Sequence, residues 1–232
     1  MIADHVQANM PFLAALPAAL RAVALPAKAA GMAAYMKSAT PFLGVPSPMV
    51  RATVRTLAKE HPFTGAAQMS ATTLKLWAEA QYREERYAAI MLTDSPVCRG
   101  EIELLPFYTT VIEEGQWWDY VDSIAPRLCE LLLAHPATME PLLLAWSQHT
   151  NMWFRRASII AQLAAKTATN TALLEELLVP NLADPQFFIR KASGWALRQY
   201  ARTDPGWVLD FVARHKNAIS SLTYREALKH LI

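Results

Sequence analysis

Residues 152–163 read MWFRRASIIAQL, and 35 positions later residues 187–197 read FFIRKASGWAL. The two align without gaps. Two further segments fall on the same beat: WWDYVDSIAP from Trp117 and YREERYAAIML from Tyr82. Arg86, Val121, Arg156 and Lys191 share one register, and Trp118, Trp153 and Phe188 share another. Each segment carries apolar residues at helical period. Other amphipathic stretches precede them: LLPFYTTVIEE, MEPLLLAWSQH and TALLEELLVPNL. A fixed period of this length, with two helices per unit, reads as a helical hairpin that buries its apolar face by stacking on its neighbours. Strand signals are nearly absent: there is no sustained alternation of β-branched residues and no Asn-Gly or Asp-Gly hairpin turn. The expected fold is all-α, an α-solenoid of HEAT-like hairpins whose repeated, Arg/Lys-bearing helices line a concave basic groove. The expected organisation is a single domain over residues 1–232.

Composition supports that reading and excludes others. The chain has 232 residues, of which 53% are hydrophobic and 18% charged, enough for a sizeable core. Its 15 prolines in an Ala/Leu-rich background suggest many short helices punctuated at their ends. Seven glycines, with neither GxGxxG nor GxxxxGK[ST], leave no Gly-rich phosphate cradle. Cys98 and Cys129 form no CxxC pair and read as reduced thiols of a cytoplasmic protein. The six histidines show neither HExxH nor HxxxH spacing, so no metal site and no cofactor is expected. Residues 10–34 are apolar, but Pro17, Arg21, Pro26 and Lys28 interrupt them. They suit two short amphipathic helices better than a membrane span or a secretion signal.

The net charge of +2 is unevenly spread. Residues 1–150 carry 11 Lys/Arg against 14 Asp/Glu, whereas residues 151–232 carry 11 against 6. A basic C-terminal part raises nucleic acid as a partner; an ordinary solvated face is the alternative.

Within the repeat, one residue is out of character. After the basic position the third and fourth units have Ala157 and Ala192, and the first has Tyr87, but the second has Asp122. A buried unpaired carboxylate costs several kcal/mol after relaxation. Asp122 therefore needs either a partner, for which Arg156 one repeat on is suited, or a chemical role. Trp118 stands at i,i+4 to it and shares its helical face.

On these strings the chain resembles the HEAT-like-repeat alkylpurine DNA glycosylases, the AlkD-like DNA alkylation repair enzymes. The resemblance rests on AAYMKSATPFLGV, LWAEAQYREERYAAI, WWDYVDSIAP, MWFRRASIIAQL, FFIRKASGWALRQYARTDP and SLTYREALKHL, and covers most of residues 33–232. Residues 1–30 match poorly and are expected to form additional N-terminal helices. The resemblance implies a monofunctional enzyme of base excision repair that hydrolyses the N-glycosidic bond of cationic N3- or N7-alkylated purines, such as 3-methyladenine and 7-methylguanine, in duplex DNA. It implies catalytic roles for Asp122, Trp118 and Trp195, and DNA contacts from Tyr35 and Arg156. Arg86, Arg155, Arg190, Lys191, Arg198 and Lys229 are candidates for phosphate contacts. The expected partner is double-stranded DNA, with no membrane, no cofactor and a monomeric protein of the bacterial cytoplasm, associated with the nucleoid by function. The alternative is a non-catalytic HEAT-repeat protein that binds damaged or branched DNA.

Overall fold

The computed structural model describes residues 6–231, and every regular element among them is helical. The first five residues of the expected N-terminal helices lie outside the described residues. The chain falls into two compact units that divide at Phe107 and Tyr108.

The first unit contains α1 (Met10–Ala22), α2 (Pro26–Met36), α3 (Ser47–Glu60), α4 (Ala66–Glu79) and α5 (Arg83–Leu92). Helix α1 runs through Pro17, and the chain breaks only before Pro26, at the first turn of α2. A proline inside a helix removes one backbone hydrogen bond and costs about 3 kcal/mol in isolation. Here Phe12, Leu16 and Leu20 bury one stripe of α1 completely, and α1 packs on α3, α4 and α5. Asn9 caps α1 by accepting from the Phe12 N–H at 3.1 Å. By contrast, α2 has no buried residue.

What places α2 is the segment after it. Glu84, fully buried on α5, accepts the backbone N–H groups of Leu43, Gly44 and Val45 at 3.0, 2.8 and 3.0 Å. Gly44 takes a φ of +83°, and a Cβ there would stand 2.1 Å from the Leu25 carbonyl oxygen, so only glycine lets this loop close against the start of α2. The Leu25 N–H donates back to the Leu43 carbonyl at 3.1 Å.

The second unit carries the beat most clearly. Its helices are α7 (Trp118–Ala134), α8 (Pro136–Ser147), α9 (Met152–Ile160), α10 (Thr171–Leu178), α11 (Phe187–Tyr200), α12 (Pro205–Arg214) and α13 (Ser221–Leu228); the division between units falls within α6 (Leu105–Gly115). Helices α5, α7, α9, α11 and α13 begin at residues 83, 118, 152, 187 and 221, a step of 34 or 35 each time. In the second unit α7, α9, α11 and α13 pack each on the next, while α8 packs on α7, α9 and α10, and α12 on α11 and α13. Side chains fix the helix starts: Asn151, Asn170, Asp204 and Ser220 each accept a first-turn N–H of the helix they precede. Prolines open α8 and α12, as punctuation predicts, but Pro126 and Pro141 sit inside α7 and α8.

A close approach between α11 and α13 is built on Gly194. A Cβ there would stand 2.4 Å from the Cβ of Glu226 and 3.0 Å from the Thr223 carbonyl oxygen. A mid-helix glycine sacrifices about 0.5–1 kcal/mol of helix propensity; here it lets α11 lie against α13.

Candidate functional site

The second unit gathers the repeat-register residues around one ion pair. Asp122 lies one turn into α7, and its side chain keeps 18% exposure. Arg156, on α9 and only 4% exposed, donates from Nε to Oδ1 and from Nη2 to Oδ2 of Asp122, both at 2.7 Å. This parallel two-bond fork is the strongest geometry available to a guanidinium and a carboxylate. The third arm of Arg156, Nη1, donates to the carbonyl of Phe188 on α11 at 2.6 Å. One arginine therefore ties three successive repeats together and fixes the carboxylate plane. Ala157 and Ala192, which match Asp122 in the two following repeats, are fully buried, whereas Tyr87 in the preceding repeat is half-buried.

Local backbone supports the placement of the acid. Gln116, immediately before α7, adopts a φ of +40°, a left-handed turn that a non-glycine residue adopts at a cost. Its side-chain amide donates to the Glu113 carbonyl at 2.8 Å. Further on, Pro126 stands four residues after Asp122 and has no N–H for its carbonyl, so the hydrogen-bond ladder of α7 is interrupted at the turn that carries the acid.

Burial pushes the Asp122 carboxyl above its ordinary value near 3.8, against the downward pull of the Arg156 hydrogen bonds and charge; Asp119, three residues before it, adds a smaller upward push. Asp119 is itself 8% exposed, and its Oδ1 accepts from the Tyr120 N–H at 3.0 Å.

An aromatic wall backs the pair. The rings of Trp117, Trp153 and Phe188 form a closed triangle with centroid separations of 6.0, 5.6 and 5.1 Å. The Arg156 guanidinium carbon lies 5.8 Å from the Phe188 ring centroid. Trp117 and Trp153 are thus packing anchors. Trp118, at the first turn of α7, and Trp195, two turns beyond Phe188 on α11, are half-buried rather than sealed in the core.

The candidate phosphate contacts separate into classes. Lys191 and Arg198 on α11 both pair with Glu226 on α13, Lys191 at 2.6 Å. Arg155 pairs with Asp184 at 2.9 Å and also donates to the carbonyls of His149 and Thr150. Arg190 donates to the Pro185 carbonyl. Lys229 is exposed at the end of α13. In the first unit, the Arg86 guanidinium carbon stands 4.8 Å from the Trp77 ring centroid. Its Nε is buried with no hydrogen-bond partner among the described residues. Tyr35 is 73% exposed near the end of α2.

Two features escape a reading of the sequence. The Phe188 carbonyl is a backbone group and leaves no residue-type signal. Glu226 does leave one, since it stands 35 positions after Lys191, the beat that also relates Arg156 to Asp122 within one residue. Among the described residues no cluster of three His, Cys, Asp or Glu could hold a metal ion, and no single helix is long and apolar enough to cross a membrane.

A family profile described as "DNA alkylation repair enzyme" matches residues 16–231. A solved structure described as "Predicted DNA alkylation repair enzyme from Enterococcus faecalis" superposes with a TM-score of 0.79 at 31% sequence identity, covering 89% of this chain and 95% of that one. No curated protein matches the chain.

Proposed function

This chain belongs to the DNA alkylation repair enzymes, and on that premise we propose that it is a monofunctional DNA glycosylase that excises cationic N3- and N7-alkylated purines from duplex DNA. The observation that carries the reading is Asp122, a carboxylate held by a two-bond arginine fork at a register where the two following repeats bury alanine.

The chemistry follows from the charge of the lesion. Alkylation at N3 of adenine or N7 of guanine makes the base a cation and hence a good leaving group without further protonation. The work left to the protein is to stabilise a deoxyribose that turns oxocarbenium-like and to place the attacking water. A fixed carboxylate does both, and sugar hydrolases use the same electrostatics. Arg156 orients Asp122; with three of its five donors already engaged, two remain for a backbone phosphate oxygen. Trp118 and Trp195 offer indole faces to the developing cation, an attraction of about 0.5–2 kcal/mol that grows toward the transition state. Arg86, Arg155, Arg190, Lys191, Arg198, Lys229 and Tyr35 are proposed to contact the DNA rather than the reacting atoms.

The test is chromatographic detection of free 7-methylguanine and 3-methyladenine after incubating purified protein with methylated duplex DNA. Release that depends on Asp122 supports the glycosylase. Binding of that DNA without release supports a non-catalytic binder of damaged DNA.

A further inference from the structure

The first unit contains a concavity of about 550 Å³. That lies within the roughly 300–1,000 Å³ typical of ligand sites. It opens between α3, the start of α4 and the turn that follows α5. Its floor is apolar: Val54, Phe63, Met69, Met91 and Leu92. Methionine is the side chain best able to reshape around an incoming group. At the rim, Pro62, Pro96 and Val97 are exposed, Val97 by 39%, so the depression is an open groove rather than a sealed cavity.

Along one wall α3 presents Arg51, Arg55 and Lys59 at i, i+4 and i+8. A rise of 1.5 Å per residue spaces them about 6 Å apart along the helix. Arg51 pairs with Asp94, which joins α3 to the turn beyond α5 and closes one end. Asp94 is the one acid of the lining. Arg55 and Lys59 are exposed and have no acidic partner among the described residues.

We propose that this groove docks an acidic peptide segment of a partner protein, which seats one large apolar side chain against Phe63, Met69 and Met91 and lays carboxylates along Arg55 and Lys59. The groove and such a peptide are complementary in charge and spacing. In the cation row the two unengaged members, Arg55 and Lys59, stand about 6 Å apart along α3, which matches the i,i+4 repeat of acids on a helical peptide. A nucleic-acid backbone would meet the cations yet have no use for the apolar floor. A fatty acid would fill the floor but leave most of the row unanswered. The inference does not depend on the glycosylase reading, because no residue of the groove belongs to that site.

The test is fluorescence anisotropy of the full-length protein with a short fluorescein-labelled helical peptide bearing Glu at i and i+4 and one Trp between them. Saturable binding is expected. It should weaken at least about tenfold on charge reversal of Arg55→Glu with Lys59→Glu, and comparably for Val97→Asp at the rim. Peptides with Gln for Glu, or Ala for Trp, should also bind at least about tenfold more weakly to the unaltered protein, a readout that requires no variant to fold. Three results would overturn the proposal. The first is no binding of the Glu/Trp peptide. The second is equal binding of the Ala-for-Trp peptide, which would mean the apolar floor is unused. The third is displacement of the peptide by dodecanoate with no effect of charge reversal on peptide affinity, which would assign the groove to a lipid, or by undamaged duplex with equal binding of the Ala-for-Trp peptide, which would assign it to DNA.

Discussion

Replacing Asp122 by Asn separates a catalytic carboxylate from a structural one. Asparagine has nearly the same shape and can still accept one hydrogen bond from Arg156. Its amide nitrogen, however, presents a donor to a second guanidinium donor now 2.7 Å from a carboxylate oxygen. One charge-assisted bond is lost, worth about 1.5–3 kcal/mol. Removing the acid altogether would approach the roughly 3–5 kcal/mol of an abandoned buried charge, because Arg156 is 4% exposed. At about 2–4 °C per kcal/mol for a chain of this size, Asp122→Asn should melt about 3–12 °C lower and remain folded at assay temperature. The chemical effect is far larger. Loss of a preorganised electrostatic group costs about 10²–10³ in rate, whereas affinity, dominated by phosphate contacts, should largely survive. The assay is single-turnover excision of N7-methylguanine from a defined duplex, with affinity measured on the same duplex. A lowered melting temperature with a near-native excision rate would make Asp122 a structural tie between repeats and refute the reasoning.

Other consequences can be checked separately. Because burial lifts the Asp122 carboxyl above 3.8 and the proposed role requires its ionised form, the excision rate should fall on acidification with an inflection above 3.8, and Asp122→Asn should abolish that limb. Affinity for undamaged duplex should drop steeply with salt, and Arg156→Ala should shallow the slope and slow excision; a salt-independent affinity would contradict DNA binding through basic side chains. Gly194→Ala should destabilise the protein by about 1–3 kcal/mol through overpacking, since the new methyl would meet the Glu226 Cβ at 2.4 Å; an unchanged melting temperature would mean α11 and α13 separate freely. The Lys191 hydrogen bond holds the Glu226 carboxyl below its ordinary 4.5, so this group stabilises the fold above that value, and its contribution fades as pH falls through the lowered one. Melting temperatures of Glu226→Gln and the parent protein should therefore differ at neutral pH and converge in acid.

Much of this was legible in the sequence because repetition is itself a structural statement. Four segments in register at a spacing of 35 required stacked hairpins, and the helices that open at residues 83, 118, 152 and 187 are those segments. The same register made Asp122 conspicuous, and its distance from Arg156 of one repeat named its partner. The prolines were less readable. Pro17 sits inside α1 because three fully buried side chains hold that helix down, a tertiary effect to which local propensity is blind. The basic residues were hardest. Composition shows that the C-terminal part is rich in Lys and Arg, but not that Glu226 engages Lys191 and Arg198 or that Asp184 engages Arg155. Such pairings depend on rotamers and on close approaches such as that at Gly194. The Glu84 carboxylate, which accepts three consecutive backbone N–H groups 39 to 41 positions earlier in the chain, leaves no periodic trace.

The central claim is that the protein stabilises a departing cationic purine with a fixed carboxylate and supplies no proton to the base. It is tested most directly by single-turnover excision from duplexes of one sequence that differ in one lesion. N7-methylguanine carries its own positive charge; hypoxanthine is neutral and needs a general acid to leave. The account predicts release of N7-methylguanine and negligible release of hypoxanthine under the same conditions. Comparable rates for the two would contradict it, since a neutral base could leave only with a proton donor that the Asp122, Trp118 and Trp195 arrangement does not include.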